Sequence, residues 1–176
     1  MQREPQPLVL RPPTREDLQA VFEIHSDPRT NRFNPSGPMA SMAAAQELLD
    51  RIGAHWSQHG FGYWLVALPE APQRVLGIGG LIEKQVPGYR GLNLYYRFRP
   101  EAWGRGLATA VGRRAIGFAD VVLGRRQDVF ARVRPDNEPS IRVLERLGLE
   151  HVGHTADEGD DLMPSLVYRL PSRGTF

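Results

Sequence analysis

The stretch Phe98-Arg99-Pro100-Glu101-Ala102-Trp103-Gly104-Arg105-Gly106-Leu107-Ala108-Thr109 joins an alternating segment to a strongly periodic one. Upstream, Leu92, Leu94, Tyr96 and Phe98 alternate with polar Asn93 and Arg97, which predicts a half-buried strand over 92–98. Downstream, Leu107, Val111, Ala115, Phe118 and Val122 fall on one helical stripe that Gly124 can close. A helix opening there presents unpaired backbone N–H groups and a partial positive charge, a natural seat for a phosphate or pyrophosphate. Gly104 and Gly106 put no Cβ in the way of a ligand. Taken alone, Gly-x-Gly reads equally well as a tight turn with helix packing. A Rossmann site lacks its third glycine here, and a P-loop lacks its Gly-Lys-Ser/Thr.

Working outward, residues 8–11 ahead of Pro12-Pro13 read as a first strand. Thr14 with Asp17 opens a helix whose apolar face is Leu18, Val21, Phe22 and His25. Residues 31–38 form a loop. Ser41 caps a second helix with the stripe Ala45, Leu48, Leu49, Ile52 and Trp56, stopped by Gly60. Residues 63–68 and 75–82 read as an antiparallel hairpin, and Pro87-Gly88 leads into the strand at 92–98. Beyond the central helix come a strand over Val129–Val133 and a helix capped by Asn137 with the face Ile141, Leu144 and Leu147. Two last strands, 151–155 and 166–170, flank an acidic loop at 157–161. The order β-α-α-β-β-β-α-β-α-β-β predicts an α+β fold around one mixed, mostly antiparallel sheet of about seven strands with four helices.

The chain has 176 residues, the size of one domain, and no cysteine. That excludes a disulfide scaffold, a thiolate metal site and a cysteine nucleophile. The 22 basic residues nearly balance 20 acidic ones, and all the basic residues but Lys84 are arginines scattered along the chain, so no nucleic-acid partner is expected. The N-terminal residues lack a signal-peptide core, and the longest apolar run, 75–82, is far too short to span a bilayer. A cytoplasmic protein with no membrane partner is the expectation.

Four segments resemble the GNAT N-acetyltransferases, in particular their RimJ/RimL-type branch. Leu8-Val9-Leu10-Arg11-Pro12 with Arg15-Glu16-Asp17-Leu18 is similar to the branch's opening. Gly62-Tyr63-Trp64-Leu65-Val66 and Leu76-Gly77-Ile78-Gly79-Gly80-Leu81 resemble its central hairpin. Residues 99–110 resemble its pyrophosphate loop, and Asn137-Glu138-Pro139-Ser140 through Leu149 its Asn-x-x-Ser helix. The resemblance covers nearly all of the chain and implies a single GNAT domain over 1–176. It implies acetyl-CoA as donor, no metal, and a small-molecule or peptide amine as acceptor; a homodimer is compatible with it. It also implies that the strand ending at Phe98 splays from Val129–Val133, with pantetheine in the gap near Tyr96 and Phe98. The Phe98 amide then polarises the thioester carbonyl. Arg99 and the loop Gly104, Arg105, Gly106, Leu107, Ala108 and Thr109 hold the cofactor, Asn137 contacts its arm, and Ser140 protonates the leaving thiolate. Trp103 stands where the wider family often has Gln or Arg, which removes a side-chain phosphate contact.

The base is less defined. Many relatives carry Glu where this chain has Asn93, which can position a water or simply make a cross-strand hydrogen bond. Glu83 can face the cleft or be a solvated strand end; Glu101 reads as a surface charge. Glu158 and Asp160 match a branch acid only with a one-residue shift. His55 and His59 have metal-ligand spacing but no third ligand, and read as surface residues. His151 and His154, three apart, fall on opposite strand faces, and Tyr168 reads as core. Arg32 can bind an acceptor carboxylate, whereas the loop at 157–161 can attract a cationic amine. Protein N-termini, amino acids or polyamines, and amine-bearing antibiotics all stay open as acceptors, and a larger acyl donor such as succinyl-CoA fits the many arginines. The alternative function is a non-catalytic acyl-CoA-binding regulatory module on the same fold.

Overall fold

A computed structural model describes residues 7–156 and 164–174. The strands are β1 (Val9–Arg11), β2 (Tyr63–Ala67), β3 (Gly77–Val86), β4 (Tyr89–Phe98), β5 (Val129–Val133), β6 (Glu150–Thr155) and β7 (Ser165–Leu170). The helices are α1 (Leu18–Ser26), α2 (Met42–His59), α3 (Leu107–Val121) and α4 (Glu138–Arg146). The strands form one seven-stranded sheet in the order β1-β2-β3-β4-β5-β7-β6. Only the β4–β5 pairing is parallel. The fold class and element order expected from the sequence hold.

Helices cover both faces. Val21 and Ile24 of α1 with Ala45, Leu49 and Ile52 of α2 pack on Tyr63, Leu65 and Ile78. Ala115 and Ala119 of α3 and Leu144 of α4 pack on the opposite face, against Leu81, Leu92, Leu94 and Val129, and Val111 of α3 packs with Val66, Leu76 and Phe98. Gly112 lets these two helices close: a Cβ there would run into the Leu147 side chain. The caps are the expected ones. Ser41 Oγ accepts from Ala44 N–H, and Thr14 N–H donates to Asp17 Oδ2 at 2.7 Å. Gly60 ends α2 at φ 74°.

Three expectations are corrected. The fourth strand is not half-buried: it begins at Tyr89, through a Pro87-Gly88 turn, and Asn93 on its polar side is 7% exposed under the α1/α2 layer. Val122 is not on the α3 stripe, because the helix ends at Val121 and Val122 is exposed. A bulge between His151 and Gly153 shifts the β6 register and brings the His151 and His154 rings to 5.3 Å, on one face rather than two. The tip of the β3–β4 hairpin curls over the second half of the sheet. Val86 and Tyr89 pack on Phe130 and Val167, and Thr155 donates to the Pro87 carbonyl.

Candidate active site

The sheet is split between β4 and β5. Their register is limited to Leu92 opposite Val129 and Asn93 opposite Phe130, after which β4 runs on to Phe98 without β5 beside it. Antiparallel ladders alternate between residues that bond the partner strand and residues that face away from it. Arg99 N–H donates to the Leu76 carbonyl at 2.8 Å, so Arg97 and Tyr95 also bond β3. Leu94, Tyr96 and Phe98 therefore direct N–H and C=O toward β5, and the last two meet the gap. Leu92 N–H, of the same parity, reaches the Asp128 carbonyl beside β5. The Phe98 carbonyl accepts from Trp103 Nε1 at 3.0 Å. Asn93 sits where the strands part. Its Nδ2 lies 3.3 and 3.4 Å from the Leu94 and Phe130 carbonyls, and its Oδ1 accepts from the Tyr63 hydroxyl.

The chain then turns through Gly104 and Gly106 at φ 72° and 76°, a conformation that costs side-chain-bearing residues about 1 kcal/mol. A Cβ built at either would meet only open space. The positive φ of the turn is what favours glycine at both positions. Gly106 caps α3 without a side-chain hydrogen bond, and the helix's first bond runs from Ala110 N–H to the Gly106 carbonyl. The amides of Leu107, Ala108 and Thr109 are left without an intrahelical partner. Across the gap, Asn137 Oδ1 accepts from Ser140 N–H at 3.3 Å. The Tyr96 hydroxyl donates to the Ser140 carbonyl at 3.2 Å, tying β4 to the start of α4. Burial pushes the Tyr96 phenol up, so it remains a donor at neutral pH.

A loop of this geometry beside a split sheet points to a family. Residues 7–150 match the acetyltransferase (GNAT) domain family. The chain belongs to that family. This acetyltransferase is 25% identical over 148 residues to the uncharacterized N-acetyltransferase YoaA of Bacillus subtilis (strain 168), covering 83% of this chain and 81% of the relative. The GNAT-family acetyltransferase of Bacillus anthracis superposes with a TM-score of 0.76 at 18% identity over 96% of both chains. The spermidine N-acetyltransferase of Vibrio cholerae, solved with CoA and spermine, gives 0.72 at 21% over 92% of both. At those identities the likeness is one of fold.

The acetyltransferase's expected site residues divide. Tyr96, Phe98, Gly104, Arg105, Gly106, Leu107, Ala108 and Thr109 meet where β4 hands over to α3, and Tyr96 links Asn137 and Ser140 to them. Arg99 does not join them. Its backbone amide is taken by Leu76, and its guanidinium turns to the Val75 carbonyl and to Glu23 of α1 at 2.7 Å. Glu83 is also set apart: it pairs with Leu92, six residues or about 20 Å along the ladder from Phe98. There it is exposed, bonded by Gln127. His55 is more than a surface residue. The Phe61 carbonyl can only accept, so Nδ1 carries the proton, and Nε2 accepts from Glu83 N–H at 2.9 Å. Among the described residues no three side chains could hold a metal ion. Tyr168 is core, 6% exposed. Glu158, Asp160 and the loop at 157–161 lie outside the described residues.

Sequence reasoning missed the polar layer under α1. His25 Nδ1 donates to the Val21 carbonyl and Nε2 accepts from the Tyr95 hydroxyl at 3.0 Å. Arg97, next along β4, donates to Asn31 Oδ1 at 2.6 Å. Alternation places Asn93, Tyr95 and Arg97 on the face opposite α3. The strand pattern was the available signal, but it marks these positions as polar without saying that they are covered.

Proposed function

We propose that this acetyltransferase moves an acetyl group from acetyl-CoA to a primary amine by direct attack, as a cytoplasmic single-domain member of the RimJ/RimL-type branch. One observation carries the reading: outward-facing backbone donors of Tyr96 and Phe98 at the split lie next to an uncapped helix start on the α3 side. The chemistry of that donor set fits the cosubstrate. The amides of Gly104, Arg105, Gly106, Leu107, Ala108 and Thr109 would hold a pyrophosphate, and Gly104 and Gly106 put no Cβ in its way. The split would take the pantetheine arm, with Asn137 at its side. The Phe98 amide would donate to the thioester oxygen as charge develops there, while Trp103 holds the neighbouring carbonyl. The neutral amine nitrogen bonds the acetyl carbon and the C–S bond breaks; the Ser140 hydroxyl would protonate the thiolate and regain through water the proton that the amine nitrogen loses. With no cysteine in the chain, the only thiol in the reaction is the one CoA brings. A homodimer is compatible with this reading.

A second reading has its own support. Asn93 is a neutral amide, and among the described residues no carboxylate bonds Asn93, Tyr63, Tyr95 or Arg97. A non-catalytic acyl-CoA-binding module would look like this at the strand. Millimolar acetyl-CoA is expected to raise the Tm, since a ligand of the native state alone stabilises it. Gly106→Trp is expected to abolish that rise by filling the cradle. No rise in the unaltered protein would overturn both readings. A rise without thiol release across a broad amine panel would favour the second.

A further inference from the structure

The face of the split turned away from α3 carries a guanidinium with no carboxylate beside it. Arg97 is half-buried, and NH1 donates to Asn31 Oδ1 at 2.6 Å. Its guanidinium lies 5.9 Å from the centre of the Tyr95 ring. Asn31 cannot rotate away: its Nδ2 is committed to the carbonyls of His25 and Asp27 at 2.7 and 2.8 Å. Tyr95 is held in turn by His25. The guanidinium is therefore fixed in place. Arg11, Arg29 and Arg99 have Asp17, Asp27 and Glu23 at 2.6–2.7 Å, but among the described residues Arg97 has no acid. A guanidinium has five N–H donors and a full charge, and two neutral oxygens, Asn31 Oδ1 and the Tyr95 hydroxyl, do not balance it. Arg32, which the sequence offered as one candidate for a carboxylate, is exposed and stacked on Phe33.

The position gives this a meaning that rests on the proposed acyl transfer. With the donor's phosphates on the α3 side, the acceptor reaches the split from the other face, where Arg97 stands one residue from Phe98. A polyamine would bring like charge to that guanidinium, whereas a carboxylate would meet its fork in bidentate geometry. We infer that the acceptor is an amine that also carries a carboxylate, as a free amino acid does, and that Arg97 pairs with that carboxylate.

The test is acetyl-CoA-dependent thiol release with the full chain. The panel is the L-amino acids, β-alanine and 4-aminobutyrate, each against its own carboxamide, with spermidine as the cationic comparison. At least one acid is expected to exceed its carboxamide tenfold or more in kcat/KM, through KM. Arg97→Gln is expected to bring that ratio close to one without moving KM for acetyl-CoA; Arg97→Lys, which keeps the charge but not the fork, retains part of it. Preference for spermidine, acids no better than their carboxamides, turnover of no acid, or a ratio that survives Arg97→Gln each overturns the inference. If a thermal melt shows Arg97→Gln unfolded, the wild-type and Arg97→Lys ratios decide. Absence of any acetyl-CoA shift in Tm instead overturns the acyl-transfer reading. The carboxylate preference is then decided by calorimetric binding of each acid against its carboxamide.

Discussion

His25 lies 6% exposed between α1 and β4, and burial, aided by the charge of Arg97, lowers its pKa from 6.5 to about 4. Between those two values the unfolded chain binds the proton and the native one does not. Stability is therefore full above pH 6.5 and is lost as pH falls toward 4, by on the order of 3 kcal/mol. Urea midpoints at pH 7 and pH 4.5 are expected to drop less in His25→Gln than in the unaltered protein. The sequence put His25 on an apolar helical face and so anticipated a core-edge residue. Its partner Tyr95 is seventy positions away, and no local pattern names it.

At the scale of elements, α4 depends on a close approach that one glycine permits. Gly112→Val would push its side chain into Leu147, an overpacking expected to cost about 1–3 kcal/mol by chemical denaturation. Asn137→Ala removes the cap that Ser140 N–H uses and is expected to cost about 1 kcal/mol, read the same way. Caps such as Ser41, Thr14 with Asp17, and Asn137 were legible because cap and recipient lie within three residues. The β6 bulge was not, since it is defined by the pairing with β7, and it overturned the two-face reading of His151 and His154. The rear of β4 was hidden for the same reason: Tyr89 joins the strand because Val86 pairs with it.

The split belongs to the whole molecule, because it arises where β5 stops accompanying β4. Amide exchange should expose it. Tyr95 and Arg97, bonded to β3, are expected to exchange slowly throughout, while Tyr96 and Phe98 exchange fast in the free protein and slow on adding acetyl-CoA. Uniform protection of all four without ligand would remove the gap. At this scale, among the described residues no helix is long and apolar enough to cross a bilayer.

Residue order alone determined the succession of elements, their caps and the glycine loop, since each depends on neighbours a few positions apart and on backbone propensity. It also carried the family, through four short segments in order. Tertiary structure decided which backbone groups face the gap, because ladder parity is set by β3. It decided that Asn93 is buried at the parting point, because α1 and α2 cover a face whose polar alternation reads as solvent. It also turned Arg99 toward Glu23 and left Arg97 fixed without an acid. Both are charged residues at the end of one strand, and only the partners that α1 and the turn after it bring to each, Glu23 to Arg99 and Asn31 to Arg97, tell them apart.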